Sequence, residues 1–134
     1  MCIRDRLYKH IHKQHHEFRQ PVGVAVEYAH LVEDLFCNTL ATIAGPLLLG
    51  SHASVVAGYA GIKLWQSIDA HCGMLLPLPL SPWNLLPGMD CATAHDFHHS
   101  HAVGNFGGFF MFWDWAMGTD AAYRRYLEKA AKAL

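Results

Sequence analysis

Two short histidine clusters constrain this chain more than any other feature. His12-Lys13-Gln14-His15-His16 and His95-Asp96-Phe97-His98-His99 share the spacing HxxHH. With eleven histidines in 134 residues, chance would supply two copies only roughly 0.002 times. On an α-helix, positions i, i+3 and i+4 fall within an arc of about 100°, so each cluster is predicted to project three imidazoles from one helical face. A single tetrahedral site takes four donors, and structural zinc favours cysteine, which neither cluster contains. Six imidazoles therefore predict two metal ions. All-imidazole ligation suits zinc, copper, iron or nickel, and the spacing leaves that choice open.

Composition narrows the setting of such a centre. Ten Lys plus Arg against eleven Asp plus Glu give a formal charge of −1, which provides no surface for neutralising phosphates and excludes a nucleic-acid partner. Charged residues make up only 16%, against roughly 25% in soluble domains. The length bounds the chain to one domain or a piece of one. Four cysteines, Cys2, Cys37, Cys72 and Cys91, form no CxxC pair. They fit a reduced compartment and receive no role.

The shortage of charge is concentrated in one place: Leu35 to Ile62 is a run of 28 residues without Asp, Glu, Lys or Arg. About 20 helical residues span the ~30 Å hydrocarbon layer, so the run is too long for one straight crossing. Gly45-Pro46 and Gly50-Ser51 offer breaks near its middle. Two antiparallel helices, about Glu27 to Leu49 and His52 to His71, are predicted, with Glu33, Asp34, Lys63 and Asp69 towards the ends away from the turn. Two crossings return the chain to its starting side, which puts both HxxHH groups in one layer where they can meet. An ionisable side chain near membrane depth is functional by default, which adds His71 as a candidate ligand and His30 as a weaker one. His10, His52 and His101 receive no metal role.

Beyond the hairpin, four prolines in Met74 to Pro87 predict an extended apolar segment lying on a surface. Helix is expected to resume near Ala92, to break at Asn105-Phe106-Gly107-Gly108 and to end in a charged, Ala-rich helix from Tyr123 to Leu134. Phe109 to Trp115 is aromatic-rich, suited to packing or to a membrane interface. The fold class is all-α: a membrane helical hairpin under a cytosol-facing, histidine-rich helical cap.

Longer stretches carry a family resemblance. Leu7-Tyr8-Lys9-His10-Ile11-His12-Lys13-Gln14-His15-His16-Glu17-Phe18, Tyr28-Ala29-His30 with Glu33, Gly45-Pro46, Asp69-Ala70-His71-Cys72-Gly73, the second HxxHH, Gly104-Asn105-Phe106-Gly107, Trp113-Asp114 and Gly118-Thr119-Asp120 resemble the fatty acid hydroxylase superfamily of membrane di-iron oxygenases, most closely its 4-methylsterol oxidase branch. Such proteins have three histidine boxes and four membrane helices. The second and third boxes are complete here, whereas the first, an HxxxH-type pair, belongs upstream of Leu7. The chain is accordingly expected to be N-terminally truncated and inactive alone, with residues 1–6 unmatched and residues 7–134 a partial domain. Ala94 and Leu31 are minor departures from the pattern.

The resemblance implies that His12, His15, His16, His95, His98 and His99 bind two iron ions, with His71 a further ligand and His30 a weaker one. It makes Glu17 and Asp96 candidates for orienting imidazole N–H groups. The implied activity is O2-dependent oxidation of a 4-methyl group on a sterol, in the endoplasmic reticulum membrane. A b-type cytochrome and an NAD(P)H reductase supply electrons, and the boxes face the cytosol. The alternatives are a sterol desaturase or a fatty-acyl or alkane hydroxylase of the same superfamily, a catalytically silent partner in a sterol-processing complex, and a soluble zinc hydrolase.

Overall fold

The computed structural model describes residues 6–86, 89 and 91–133. Most of the opening segment expected to be unmatched, residues 1–5 with Cys2, lies outside that range, as does Pro87 at the end of the proline-rich strip. Every regular element among the described residues is helical.

The hairpin consists of α1, Leu31–Leu48, and α2, Ala53–Ala70. His30 caps the start of α1, its ring nitrogen accepting from the Val32 amide. His52 caps α2 in the same way through the Ser54 amide. The helix predicted from Glu27 therefore begins four residues later, because Gly23–Glu27 winds as a separate 3-10 turn and an acceptor side chain at position 30 terminates the ladder. The turn falls at Gly50, where φ is +62°, a conformation that glycine adopts without penalty. Pro46, expected to break the helix, sits inside α1, with the amides of Leu49 and Ser51 closing onto Gly45 and Pro46 carbonyls beyond it.

α1 buries none of its residues. Leu31, Leu35, Phe36, Leu40, Leu47 and Leu48 are all exposed, Leu48 by 87%. It is long and apolar enough to cross a membrane. In water each Å² of that surface costs about 25 cal/mol. α2, with Lys63, Gln66 and Asp69, is less apolar. Between Asp34 and Leu40 the backbone of α1 widens into a π-helix, for which no signal is visible in the sequence.

The remaining elements form the cap: a π-helical turn at Tyr8–His12, a 3-10 turn at His15–Glu17, α3 at Cys91–His101, α4 at Phe112–Met117 and α5 at Ala121–Lys132. Only the second HxxHH lies on the regular α-helix expected of both. The first is split between two tighter and wider turns, so the 100° arc argument does not apply to it. The apolar core is small. Ala94 and Phe97 of α3 pack on Tyr123 of α5, and Ala70 on Met89. Most of what the cap buries is polar, and most of that is histidine.

The strip from Met74 to Leu86 is irregular except for a 3-10 turn at Pro82–Leu85, with exposed Met74, Leu75, Leu78, Leu80, Leu85 and Leu86. Ser81 pins it to α2 by donating to the buried Asp69 carboxylate at 2.6 Å, and the Trp65 indole donates to the Leu80 carbonyl.

Candidate metal centre

The two boxes meet. The Nε2 atoms of His16 and His98 lie 3.1 Å apart although 82 residues separate them in sequence. Seven imidazoles converge in two adjoining pockets. His15, His71, His95 and His99 form one, and His12, His16 and His98 the other. Each box is divided between them. From the first, His15 goes to the four-imidazole pocket and the i, i+4 pair His12 and His16 to its neighbour. From the second, the i, i+4 pair His95 and His99 goes to the four-imidazole pocket and His98 crosses over. His71, at the C-terminus of α2, completes the larger set.

Hydrogen bonds fix the protonation of four rings. Main-chain carbonyls only accept, so the Nδ1 atoms of His15 against Tyr28 O (3.2 Å), His71 against Ser67 O (2.7 Å) and His98 against Gly104 O (2.7 Å) must carry the proton. The Nδ1 of His12 meets the Glu33 carboxylate. In the neutral state all four rings therefore turn a bare Nε2 lone pair inward. His15 and His71 point theirs at each other across 3.1 Å. Two lone pairs at that separation repel unless a cation lies between them. For a metal–nitrogen bond of ~2.1 Å, adjacent ligands of an octahedron lie about 3.0 Å apart and those of a tetrahedron about 3.4 Å. The Nε2 separations of 2.9 to 3.2 Å in both pockets match this spacing. The donor set thus fits two metal ions. Among the described residues no hydrogen-bond partner reaches the buried Nδ1 atoms of His16, His95 and His99.

Burial keeps these rings neutral. It pushes His16 and His71 down to about 4 and His99 to about 2, and lowers His15, His95 and His98, with neighbouring imidazoles acting in the same direction. A histidine held below its ordinary value of 6.5 contributes stability that is complete above 6.5 and is lost as pH falls towards the folded value, because the unfolded chain takes up the proton first. At one pH unit below 6.5, His16 and His71 together remove about 3 kcal/mol. The metal-free chain in detergent is expected to show a thermal unfolding midpoint that drops steeply between about pH 7 and pH 5. A midpoint that does not move would contradict the buried neutral cluster.

A cavity of about 380 Å³ opens from the imidazoles between α1 and α2, lined by His12, His15, His71 and His95 together with Asn38, Lys63 and Phe109. That size is ordinary for a small-molecule site.

Other residues singled out in the sequence sit elsewhere. His30 and His52 are helix caps, and His101 stacks on Phe97 at 4.2 Å. Glu17 accepts from the Tyr28 hydroxyl, and no hydrogen bond from Asp96 to a site imidazole is present among the described residues. The carboxylate that reaches a ring is Glu33, which the sequence marked as a helix-end charge and as part of the family resemblance but not as a partner of an imidazole. A signal for it existed, since it is an ionisable group at the edge of a long uncharged run. Also unforeseen was the Asp114 clamp. Its buried carboxylate accepts from Phe106 N (2.8 Å), Gly107 N (2.8 Å) and Thr119 Oγ1 (2.6 Å), which holds the loop whose Gly104 carbonyl orients His98.

Comparison with known proteins agrees with this geometry. Methylsterol monooxygenase 1 of Rattus norvegicus is 41% identical over 127 residues, 95% of this chain and 42% of the rat protein. Methylsterol monooxygenase 2-2 of Arabidopsis thaliana is 41% identical over 122 residues, 89% of this chain and 45% of its own length. Very-long-chain aldehyde decarbonylase GL1-8 of Oryza sativa subsp. indica is 39% identical over 122 residues, with 89% and 44% covered. The chain thus spans less than half the length of these relatives. No solved structure matches it significantly. The family model described as fatty acid hydroxylase matches residues 3–119, a stretch that contains both histidine boxes, His71 and the Asp114 clamp, and the chain belongs to that family.

Proposed function

We propose that this chain forms the greater part of the metal centre of a membrane di-iron oxygenase that oxidises a methyl group of a sterol. The observation that carries the reading is the facing pair of Nε2 lone pairs on His15 and His71, 3.1 Å apart, inside a set of seven convergent imidazoles. The metal ligands proposed are His12, His15, His16, His71, His95, His98 and His99. His30 is dropped from the set because its ring is occupied in capping α1.

Two iron ions, when bound, supply the activation of O2 that attack on an unactivated C–H bond requires and that no side chain performs. The protein's own contribution is positional. Carbonyls of Tyr28, Ser67 and Gly104 and the carboxylate of Glu33 hold four rings with their lone pairs inward. Burial keeps His15, His16, His71, His95, His98 and His99 unprotonated and available as ligands at neutral pH. The cavity between α1 and α2 gives a substrate access to His12, His15, His71 and His95. A lipid substrate entering from the bilayer suits that arrangement. The hairpin is taken to lie in the endoplasmic reticulum membrane with both boxes on the cytosolic side, where a b-type cytochrome and its NAD(P)H reductase deliver electrons.

The name of the rice relative supports a second reading, in which the same centre acts on a very-long-chain aldehyde. The test is made on the detergent-extracted protein, extended upstream if its coding sequence continues. About two irons per chain and conversion of a 4-methylsterol to its hydroxymethyl product, lost on His98→Ala, are expected. Turnover of a long-chain aldehyde with no sterol product would establish the second reading, and zinc in place of iron would overturn both.

A further inference from the structure

The four inward-facing lone pairs are set in two different ways. Three rings are held by main-chain carbonyls, which cannot be lost by substitution at their own positions. His12 has no carbonyl at Nδ1. It sits on the π-helical turn Tyr8–His12, and its Nδ1 contacts Glu33 Oε1 instead. Glu33 belongs to the first turn of α1, its side chain is only 14% exposed, and its second oxygen, Oε2, is buried with no hydrogen-bond partner among the described residues. It also lines the cavity shared by both pockets. No other carboxylate among the described residues contacts a site imidazole.

Glu33 cannot itself ligate an ion held at His12 Nε2 through the oxygen that meets Nδ1, since the two nitrogens lie on opposite sides of the ring. Its effect is exerted through the ring. An anion at Nδ1 holds the proton there, leaves Nε2 bare and makes it a better donor. The pocket concerned is the one with three imidazoles rather than four, so it starts one donor short and gains the single negative charge. We propose that Glu33 is a positioning residue that fixes the tautomer of His12 and thereby selectively sets the metal affinity of the three-imidazole pocket. The inference rests on the metal-centre reading above and adds that the apolar helix α1 is what loads one of the two pockets.

Cobalt(II) is a suitable probe because its absorption reports imidazole ligation without any turnover. In a His95→Ala/His99→Ala background, which leaves the four-imidazole pocket only His15 and His71, the detergent-solubilised 134-residue chain is titrated with Co2+. Glu33→Gln, which keeps an acceptor but removes the charge, is expected to weaken Co2+ binding about 10-fold, and Glu33→Ala by about 10- to 100-fold. In a His98→Ala background, where only the four-imidazole pocket remains, Glu33→Gln is expected to change nothing. In the metal-free chain, 15N resonances of His12 are expected to shift from an Nδ1–H ring towards a mixture of tautomers in Glu33→Ala. Helicity by circular dichroism controls for misfolding. If Glu33→Ala does not fold, Glu33→Gln in the His95→Ala/His99→Ala background decides alone. Undiminished Co2+ affinity there, or equal losses in both backgrounds at unchanged helicity, overturns the role of Glu33 while leaving the metal centre standing. A parent chain that takes up no Co2+ in either pocket overturns the metal centre and this inference together.

Discussion

Gly104→Ala is expected to abolish folding of the loop that anchors His98 and to cost more than about 4 kcal/mol, a size seen only when a defined structural requirement is broken. Two effects combine. Gly104 has φ of +64°, which costs a residue with a Cβ about 1 kcal/mol. A Cβ there would also stand 2.1 Å from the Thr119 carbonyl oxygen, a backbone atom that cannot move aside without dismantling the turn between α4 and α5. Gly118 separates the two contributions, because it has φ of +67° but no atom within 4 Å of a Cβ. Gly118→Ala is therefore expected to cost only about 1 kcal/mol, and Gly108→Ala, also in open space, less than that. Chemical denaturation of the three variants in the same detergent checks the order. Equal costs for Gly104→Ala and Gly118→Ala would show that the approach of Thr119 does not constrain the loop.

Asp114→Ala is expected to be nearly as damaging, by about 4 kcal/mol, and to lower the unfolding midpoint by about 10 °C or more. Its carboxylate receives three donors while 2% exposed. Hydrogen bonds to a charged group are each worth about 1.5–3 kcal/mol, and their removal leaves buried N–H groups without partners. Asp114→Asn keeps the volume but turns an N–H against a donor, and an intermediate loss is expected. Thr119→Val, which removes one of the three bonds, is expected to cost about 1.5–3 kcal/mol. Because the clamped loop carries the Gly104 carbonyl, Asp114→Ala should also weaken metal binding at the pocket containing His98 more than at the pocket containing His99. A stability loss with both pockets equally affected would separate the clamp from the metal centre.

The parts of this architecture that were legible in the sequence are those written in composition and spacing. A repeated HxxHH is rare enough to announce a site, and a long uncharged run interrupted by Gly50 announces a hairpin whose turn brings the boxes to one side. His71 could be added because it stands at the end of the second helix of that hairpin. The residues that decide how the rings are held were not legible. Tyr28, Ser67 and Gly104 contribute through their carbonyls, which every residue type possesses. Glu33 reads as a helix-end charge until the fold places His12 beside it. Glu17, beside the first box, and Asp96, inside the second, looked like better partners, yet Glu17 is engaged by the Tyr28 hydroxyl and Asp96 follows His95 on a regular helix, where consecutive residues do not face each other. The helical arc argument also assumed regular geometry for both boxes, and the first is wound irregularly, so its rings reach their pockets by a route that no periodicity encodes.

The crossed allotment of the boxes has a bearing on assembly. Neither pocket can be built from one half of the chain, since each draws rings from segments on both sides of the hairpin. Occupying either one ties together segments roughly 80 residues apart, so an ion that binds only the folded chain stabilises the whole of it. Removing either ion is therefore expected to loosen both sides of the hairpin at once.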